Sequence, residues 1–363
     1  TYPLQKKYQT VEYLRTMPHL RVRIPFNSAL LRLRSEVIAN LTKTLSKMRF
    51  IQVHTPIITS SDCEGAGEVL QVDSGSGVGQ SGRHGNFFFR TPKYLTVSSQ
   101  LHLEALSQAA GNVWTLSPAF RGERSDTSRH LSEFYMLEAE MSFVGSMYEI
   151  MNLIQSILLP IVQDLCSGPM GEELLRGPLG EKQLRRRWDG MMNEWKCITY
   201  TEAIQILQSS TSNFEFMPEW GQGLQVEHEK YIANTVGDNT SFSSPVFVTH
   251  FPKALKPFYM LPSESGCEGR ETVDCFDLLV PEIGEIAGGS MREHRLEPLI
   301  KTMFENGMIP SISPSDQDLG NLKWYVDLRR WASVPHGGFG LGFDRILSYL
   351  AGVAHIREMV TFP

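Results

Sequence analysis

FRGERSDTSRHLSEFYMLEAE, residues 120–140, decides the fold class, because a charged, turn-rich connector here joins two β-like runs. The runs at 112–121 and 133–143 flank a connector at 122–132, which predicts a long antiparallel hairpin. Arg121, Glu123, Arg124, Arg129 and His130 crowd its rims, so the unit can present cations to an anion from both sides. Phe134 and Glu138 stand four apart on one strand and therefore share a face, offering an aromatic plate and a carboxylate to one pocket. A nucleoside triphosphate would use all of these groups. Standing alone, the segment also reads as a solvated charged turn.

Before the hairpin, Leu30, Leu33, Val37, Ile38, Leu41, Leu45 and Met48 recur at helical spacing and predict an amphipathic helix capped near Asn27 or Ser28. The β-like stretch from Phe50 to Ile58 contains Pro56, which donates no ladder hydrogen bond and belongs at a sheet edge or an interface. Residues 73–85 carry too little apolar content to pack and read as a mobile loop. Helices are expected at 96–110 and 146–166, whereas 167–197 loses periodicity and carries Arg185, Arg186 and Arg187. Thr199 and Glu202 form a capping-box pattern ahead of Ala203, Ile204 and Leu207. Strand-like runs at 245–250, 257–261, 272–280 and 282–287 precede a helix at 292–306 and a last helix at 343–353. Strands in clusters with few βαβ alternations indicate an α+β fold, an antiparallel sheet flanked by helices.

Two further segments carry chemistry. In DCFDLLVPEIGEIAGGSMREHR, residues 274–295, Asp274, Asp277, Glu282 and Glu285 precede a glycine pair and Arg292, a pattern suited to Mg²⁺ shared with phosphates, though edge-strand acids are often only solvated. In VPHGGFGLGFDR, residues 334–345, four glycines let backbone approach closely before Asp344 and Arg345 open a helix. The balance of 34 Lys+Arg against 40 Asp+Glu, net −6, leaves a nucleic-acid partner to be argued from a local patch. The five cysteines are widely spaced and form no CxxC pair, so neither a zinc site nor a disulfide framework is indicated. No run of about 18 apolar residues is evident, and no membrane association is expected.

Taken in order, these segments resemble the signature motifs of class II aminoacyl-tRNA synthetases across nearly the whole chain. The stretch from Phe50 to Pro56, with the helix before it, is similar to the first motif, residues 120–138 to the second, and Gly338 to Arg345 to the third. The resemblance implies a mixed, mostly antiparallel sheet of six or seven strands and a homodimer formed partly through the first motif. It assigns Arg121 and Glu123 to ATP, Arg121 to the α-phosphate, and Arg129 and His130 to the outer phosphates. Phe134 and Arg345 would sandwich the adenine, with Arg121, Glu123 and Arg345 as the catalytic set. Glu285 and Asp277 would hold Mg²⁺, and Gly288 stands where some relatives place a serine as an additional ligand. The family also implies an anticodon-reading β-barrel, which residues 1–27 would follow as an arm. The catalytic domain would then cover 28–363, with an insertion at about 167–240 whose arginines could meet phosphates of the tRNA acceptor arm.

Residues 61–68, 96–103 and 130–134 resemble the aspartate, asparagine and lysine subgroup. In that subgroup Glu64 and Gln100 would hold the amino acid's ammonium and carboxylate, with His250 close by. Leu103 stands where aspartate enzymes carry a lysine that pairs with the substrate's side-chain carboxylate. Glu138 can accept from an amide NH₂ and repels a second carboxylate, while Arg292 can donate to the amide oxygen. The combination points to L-asparagine, ATP and tRNA(Asn) as partners. Two alternatives stay open at this point: a tRNA-independent paralogue that makes asparagine from aspartate, and a non-catalytic dimeric or RNA-binding relative. Likeness to organellar enzymes suggests the mitochondrial matrix, with the cytoplasm as the other choice.

Overall fold

The computed structural model describes residues 2–5, 7, 9–60, 69–72, 92–122, 130–237, 242–264 and 269–362. Among these, ten strands are formed: β1 (Ile51–Gln52), β2 (Ile58–Thr59), β3 (Tyr94–Leu95), β4 (Val113–Phe120), β5 (Glu133–Ser142), β6 (Lys196–Thr199), β7 (Val246–Thr249), β8 (Cys275–Val280), β9 (Gly284–Met291) and β10 (His336–Gly342). Eight of them make one sheet in the order β1-β4-β5-β10-β9-β8-β7-β6, and β2 pairs with β3 in a separate ribbon. The six central strands are antiparallel, and a short parallel strand closes each edge, β1 on β4 and β6 on β7. These short edges account for a strand more than the expected six or seven. The Pro56 stretch does lie at an edge, where Ile51 and Gln52 pair with β4 while Ile58 joins the separate ribbon.

The helix Pro25–Lys47 places Leu30, Leu33, Val37, Leu41 and Leu45 in the core, as their spacing requires. It opens at Pro25, whose fixed φ suits the first turn, and not at an Asn27 or Ser28 cap; Asn27 instead donates to the Arg21 carbonyl at 3.0 Å. The helix Met147–Ser167 is long and apolar enough to cross a membrane, which the sequence reading passes over. Its buried face, including Ile150, Ile154, Ile157 and Ile161, packs in the same core as Pro25–Lys47 and the sheet.

Residues 167–197 are more ordered than their broken periodicity suggests. Helices Pro169–Leu174 and Glu181–Met192 form there, and fully buried Trp188 donates from Nε1 to the Leu350 carbonyl at 2.9 Å. Gly190 allows this packing, since a Cβ at that position would stand 1.8 Å from the Ser243 carbonyl oxygen. The arginine cluster divides accordingly. Arg187 is buried, donates to the Tyr349 carbonyl at 3.1 Å and pairs with Glu282, Arg186 donates to Ser243 at 3.1 Å, and Arg185 pairs with Glu181 at 2.8 Å. Arg187 therefore belongs to the core and not to a phosphate-binding face. The capping box at Thr199 and Glu202 forms as expected. The run at 257–261 is not a strand; only the isolated bridge of Met260 with Arg292 is present.

Candidate active site

The sheet register sets out the floor of the site. Glu138 on β5 pairs with Gly340 on β10, Gly340 with Gly288 on β9, and Gly288 with Asp277 on β8. Residues paired directly across strands point to the same face, so this row carries two acidic residues, their backbones about 14 Å apart, with two glycines between them. A register shift between Leu278 and Leu279 falls beside Glu285, and such irregularities re-aim side chains. Glu285 thereby lines both halves of the resulting cleft.

The first half, with about 620 Å³ of open space, is lined by Arg121, His130, Phe134, Met136, Glu285 and Arg345. The Arg121 guanidinium lies 5.7 Å from the centre of the Phe134 ring, so the phosphate-binding and adenine-binding groups of the resemblance touch directly. Arg345 donates to the Glu285 carbonyl at 3.0 Å and stands 3.9 Å from its carboxylate. Its neighbour Asp344 is buried, accepts from the Tyr135 N–H at 2.9 Å and pairs with Arg34. Asp344 thus fixes the start of the helix Phe343–Ala351 that carries Arg345.

The second half, about 820 Å³, shares Arg121, Met136, Glu285 and Gly340 with the first, so the two are continuous. Ser98, Gln100, Leu103, Glu138, Lys256, Tyr259, Asp277 and Arg292 line it. The Glu138 carboxylate accepts from the Ser98 hydroxyl at 2.5 Å and from the Ser99 N–H at 3.0 and 2.9 Å, which fixes its direction. Arg292 forms a two-point pair with Glu140, at 3.1 and 3.0 Å, and donates a third hydrogen bond to Ser290 at 2.5 Å. Of the five guanidinium N–H groups, two remain for a ligand. Gly338 makes room for Glu140, because a Cβ there would stand 2.1 Å from Glu140 Oε2.

Behind the second half lies a buried polar cluster. Glu104 accepts from Gln100 Nε2 at 3.1 Å, the Tyr325 hydroxyl at 2.8 Å and Arg329 Nη2 at 2.6 Å, and His336 Nε2 stands 3.1 Å away. Burial pushes the Glu104 carboxyl up, but Arg329 and His336 outweigh it and hold the group well below the usual carboxylate range. Gln100 is thereby oriented from behind.

Three expected residues, Glu64, Glu123 and Arg129, lie outside the described residues. His250 lines neither half of the cleft; its Nδ1 is 2.9 Å from Thr249 Oγ1 and its Nε2 3.8 Å from Asp274. Asp277 is in the cleft, but both carboxylate oxygens accept from Lys256 Nζ at 2.9 Å. Burial opposes charge on both partners and pushes Asp277 up to about 6, whereas Asp277, Cys275 and Glu285 together hold Lys256 above the ordinary lysine range. Two donations from one ammonium to both oxygens are the geometry of an ion pair, and that is the state assigned here. Sequence reasoning missed Lys256, Glu140 and Ser98. Strand alternation from Glu138 points to Glu140, while Lys256 sits in an irregular segment with no period to expose it.

This fold and cleft are those of a class II aminoacyl-tRNA synthetase. The chain belongs to the family described as tRNA synthetases class II (D, K and N), matched over residues 10–363. It is 44% identical to the mitochondrial asparagine–tRNA ligase of Saccharomyces cerevisiae, over 99% of this chain and 73% of that protein. It is 41% identical to the asparagine–tRNA ligase of Microcystis aeruginosa, over 100% of this chain and 76% of that protein. Among solved structures, the asparaginyl-tRNA synthetase of Pyrococcus horikoshii complexed with asparaginyl-adenylate superposes with a TM-score of 0.81 at 32% identity, covering 98% of this chain and 72% of that one.

Proposed function

We propose that the chain activates L-asparagine with ATP, releasing pyrophosphate, and transfers the asparaginyl group to the 3′ end of tRNA(Asn). The observation that carries this is the single continuous cleft, with Arg121, Phe134 and Arg345 at one end and Leu103, Glu138 and Arg292 at the other. The asparagine carboxylate attacks the α-phosphate in line, so no side-chain base is required and catalysis rests on position and charge. Arg121 meets the charge that builds on the α-phosphate, Phe134 and Arg345 hold the adenine, and His130 faces the outer phosphates. At the other end Glu138 accepts from the amide NH₂ and Arg292 donates to the amide oxygen. A substrate carboxylate would face Glu138 with no lysine at position 103 to offset it, because that position is a buried leucine and Lys256 is held by Asp277. That contact disfavours the amidating paralogue, which would take aspartate.

Glu285 suits Mg²⁺ by its oxygen donors and by the gap left at Gly288, where a Cβ would stand 3.5 Å from Glu285 Oε1 and 3.3 Å from Asp277 Oδ1. When bound there, Mg²⁺ supplies charge neutralisation to the phosphates. Leu31, Met48, Ile51, Ile57 and Ile58 are exposed apolar residues in and just after the helix Pro25–Lys47, and they support a homodimer formed through this first-motif segment. Likeness to the yeast mitochondrial enzyme supports a place in the mitochondrial matrix.

The test is Mg²⁺-dependent exchange of labelled pyrophosphate into ATP with asparagine, aspartate or lysine. Asparagine-only exchange is expected; aspartate-driven exchange would overturn the substrate assignment. Charging of tRNA(Asn) tests the second step.

A further inference from the structure

Glu285 lies where the two halves of the cleft join, beside the point at which the β8–β9 ladder shifts register. Such a shift disrupts the ladder locally, so regular strand pairing does not by itself set the direction of Glu285. Its backbone is held from outside the ladder on both sides. The Glu285 carbonyl accepts from Arg345 Nη1 at 3.0 Å, and the Glu285 N–H donates to Glu229 Oε2 at 3.1 Å. One clamp comes from the ATP end of the cleft. The other comes from within 167–240, the segment expected as an insertion.

Glu229 is built into an anchored element. It is 8% exposed and stands in the first turn of the helix Val226–Gly237. Ile232 and Ala233 of that helix share a buried cluster with Val246 and Leu279 of the sheet, and a Cβ on Gly237 would stand 2.1 Å from the Ser244 carbonyl oxygen. The two residues before Glu229 fasten the start of the helix. Glu227 accepts from the N–H groups of Glu215 and Phe216 at 3.0 and 2.8 Å. His228 Nδ1 accepts from the Gln225 N–H at 3.1 Å, which leaves the ring proton on Nε2, 2.8 Å from the Phe216 carbonyl oxygen. The carboxylate that meets Glu285 is thus carried on a support fixed against both the sheet and its own loop. Glu229 itself lines neither half of the cleft.

We propose that Glu229 is a positioning residue for nucleotide binding: by holding the Glu285 N–H it fixes the irregular turn of β9 that aims the Glu285 carboxylate and keeps the Glu285 carbonyl within reach of Arg345. This rests on the reading of the site as an ATP-activating one. The segment 167–240 then takes part in the reaction through one hydrogen bond, without touching a substrate.

The experiment reads two quantities on the full chain: amide hydrogen–deuterium exchange at Glu285, and the Kd for α,β-methylene ATP with Mg²⁺ and no asparagine, so that no reaction occurs. Glu229→Ala is expected to speed amide exchange at Glu285 and to raise the Kd, each by about tenfold, the effect of losing one hydrogen bond to a charged acceptor. Glu229→Gln, whose side-chain oxygen still accepts the N–H, is expected to restore both. Unchanged amide exchange in folded Glu229→Ala overturns the proposal, as does faster amide exchange with an unchanged Kd, which would make the contact merely structural. If Glu229→Ala does not fold, Glu229→Asp, one methylene too short to reach, decides by the same two readings. A parent that does not bind the analogue at all overturns the proposed function, a result distinct from a parent that binds it and a Glu229→Ala that binds it equally well.

Discussion

Glu138 shows how much one carboxylate depends on its neighbours. The Ser98 hydroxyl and the Ser99 N–H both donate to it, so its direction is set before any ligand arrives. Glu138→Gln keeps the shape but removes the charge that would repel aspartate, a contact of several kcal/mol. Selectivity for asparagine over aspartate should therefore fall by about a hundredfold to a thousandfold, at about 1.4 kcal/mol per factor of ten, as read by exchange with each amino acid. Unchanged selectivity would remove Glu138 from the specificity site. Arg345→Ala should raise the KM for ATP by about a hundredfold or more while leaving the melting temperature within a few degrees, because its hydrogen bond to the Glu285 carbonyl is partly exposed. At this scale the sequence was informative wherever residues share a strand, as Phe134 and Glu138 do. It was silent on Lys256, since the contact with Asp277 spans an irregular turn.

The elements carry these residues, and one link between elements reaches the site directly. Arg34, on the helix Pro25–Lys47, pairs with Asp344, and its guanidinium lies 5.2 Å from the Phe343 ring and 5.6 Å from the Tyr135 ring. The helix Pro25–Lys47 is thus tied to the first turn of the helix bearing Arg345. Arg34→Met leaves the Asp344 carboxylate buried without its cation, at a cost of about 1–3 kcal/mol, reduced from the fully buried case because Arg34 is 22% exposed. The expected kinetic result is a KM for ATP raised several-fold with kcat nearly preserved; an unchanged KM would mean the link is only structural. The presence of the helix Pro25–Lys47 and of the central hairpin was legible, because their apolar periods are unbroken, although the helix starts two to three residues before the expected cap. The elements were not legible at 167–197, where Gly168, Pro169, Gly171, Gly177 and Pro178 interrupt the period and burial of Leu184, Trp188 and Met191 restores the helices.

Across the whole molecule, Glu104 joins parts of the chain far apart in sequence: the helix Gln100–Ala110, the helix Lys323–Arg330 and β10 all meet at its carboxylate. No local pattern announces such a cluster, because each member looks like an ordinary charged position until tertiary packing buries it. Removing the charge by Glu104→Gln leaves Arg329 buried without its carboxylate partner, and breaking a buried pair this way costs about 3–5 kcal/mol, enough to lower the thermal midpoint by several degrees. The pH dependence follows from the depressed carboxyl. A group whose folded pKa lies below its unfolded one contributes its full stabilisation above the unfolded value, about 4.3 for glutamate, and loses it as pH falls toward the folded value. The gap in midpoint between parent and Glu104→Gln should therefore stay constant from pH 8 down to about pH 5 and narrow only below about pH 4. Thermal scans of both proteins across that range check it. A gap that closes between pH 8 and 6 would mean that Glu104 takes up its proton near neutrality, and Gln100 would then be oriented by a neutral group whose hold on the substrate end of the cleft varies with physiological pH.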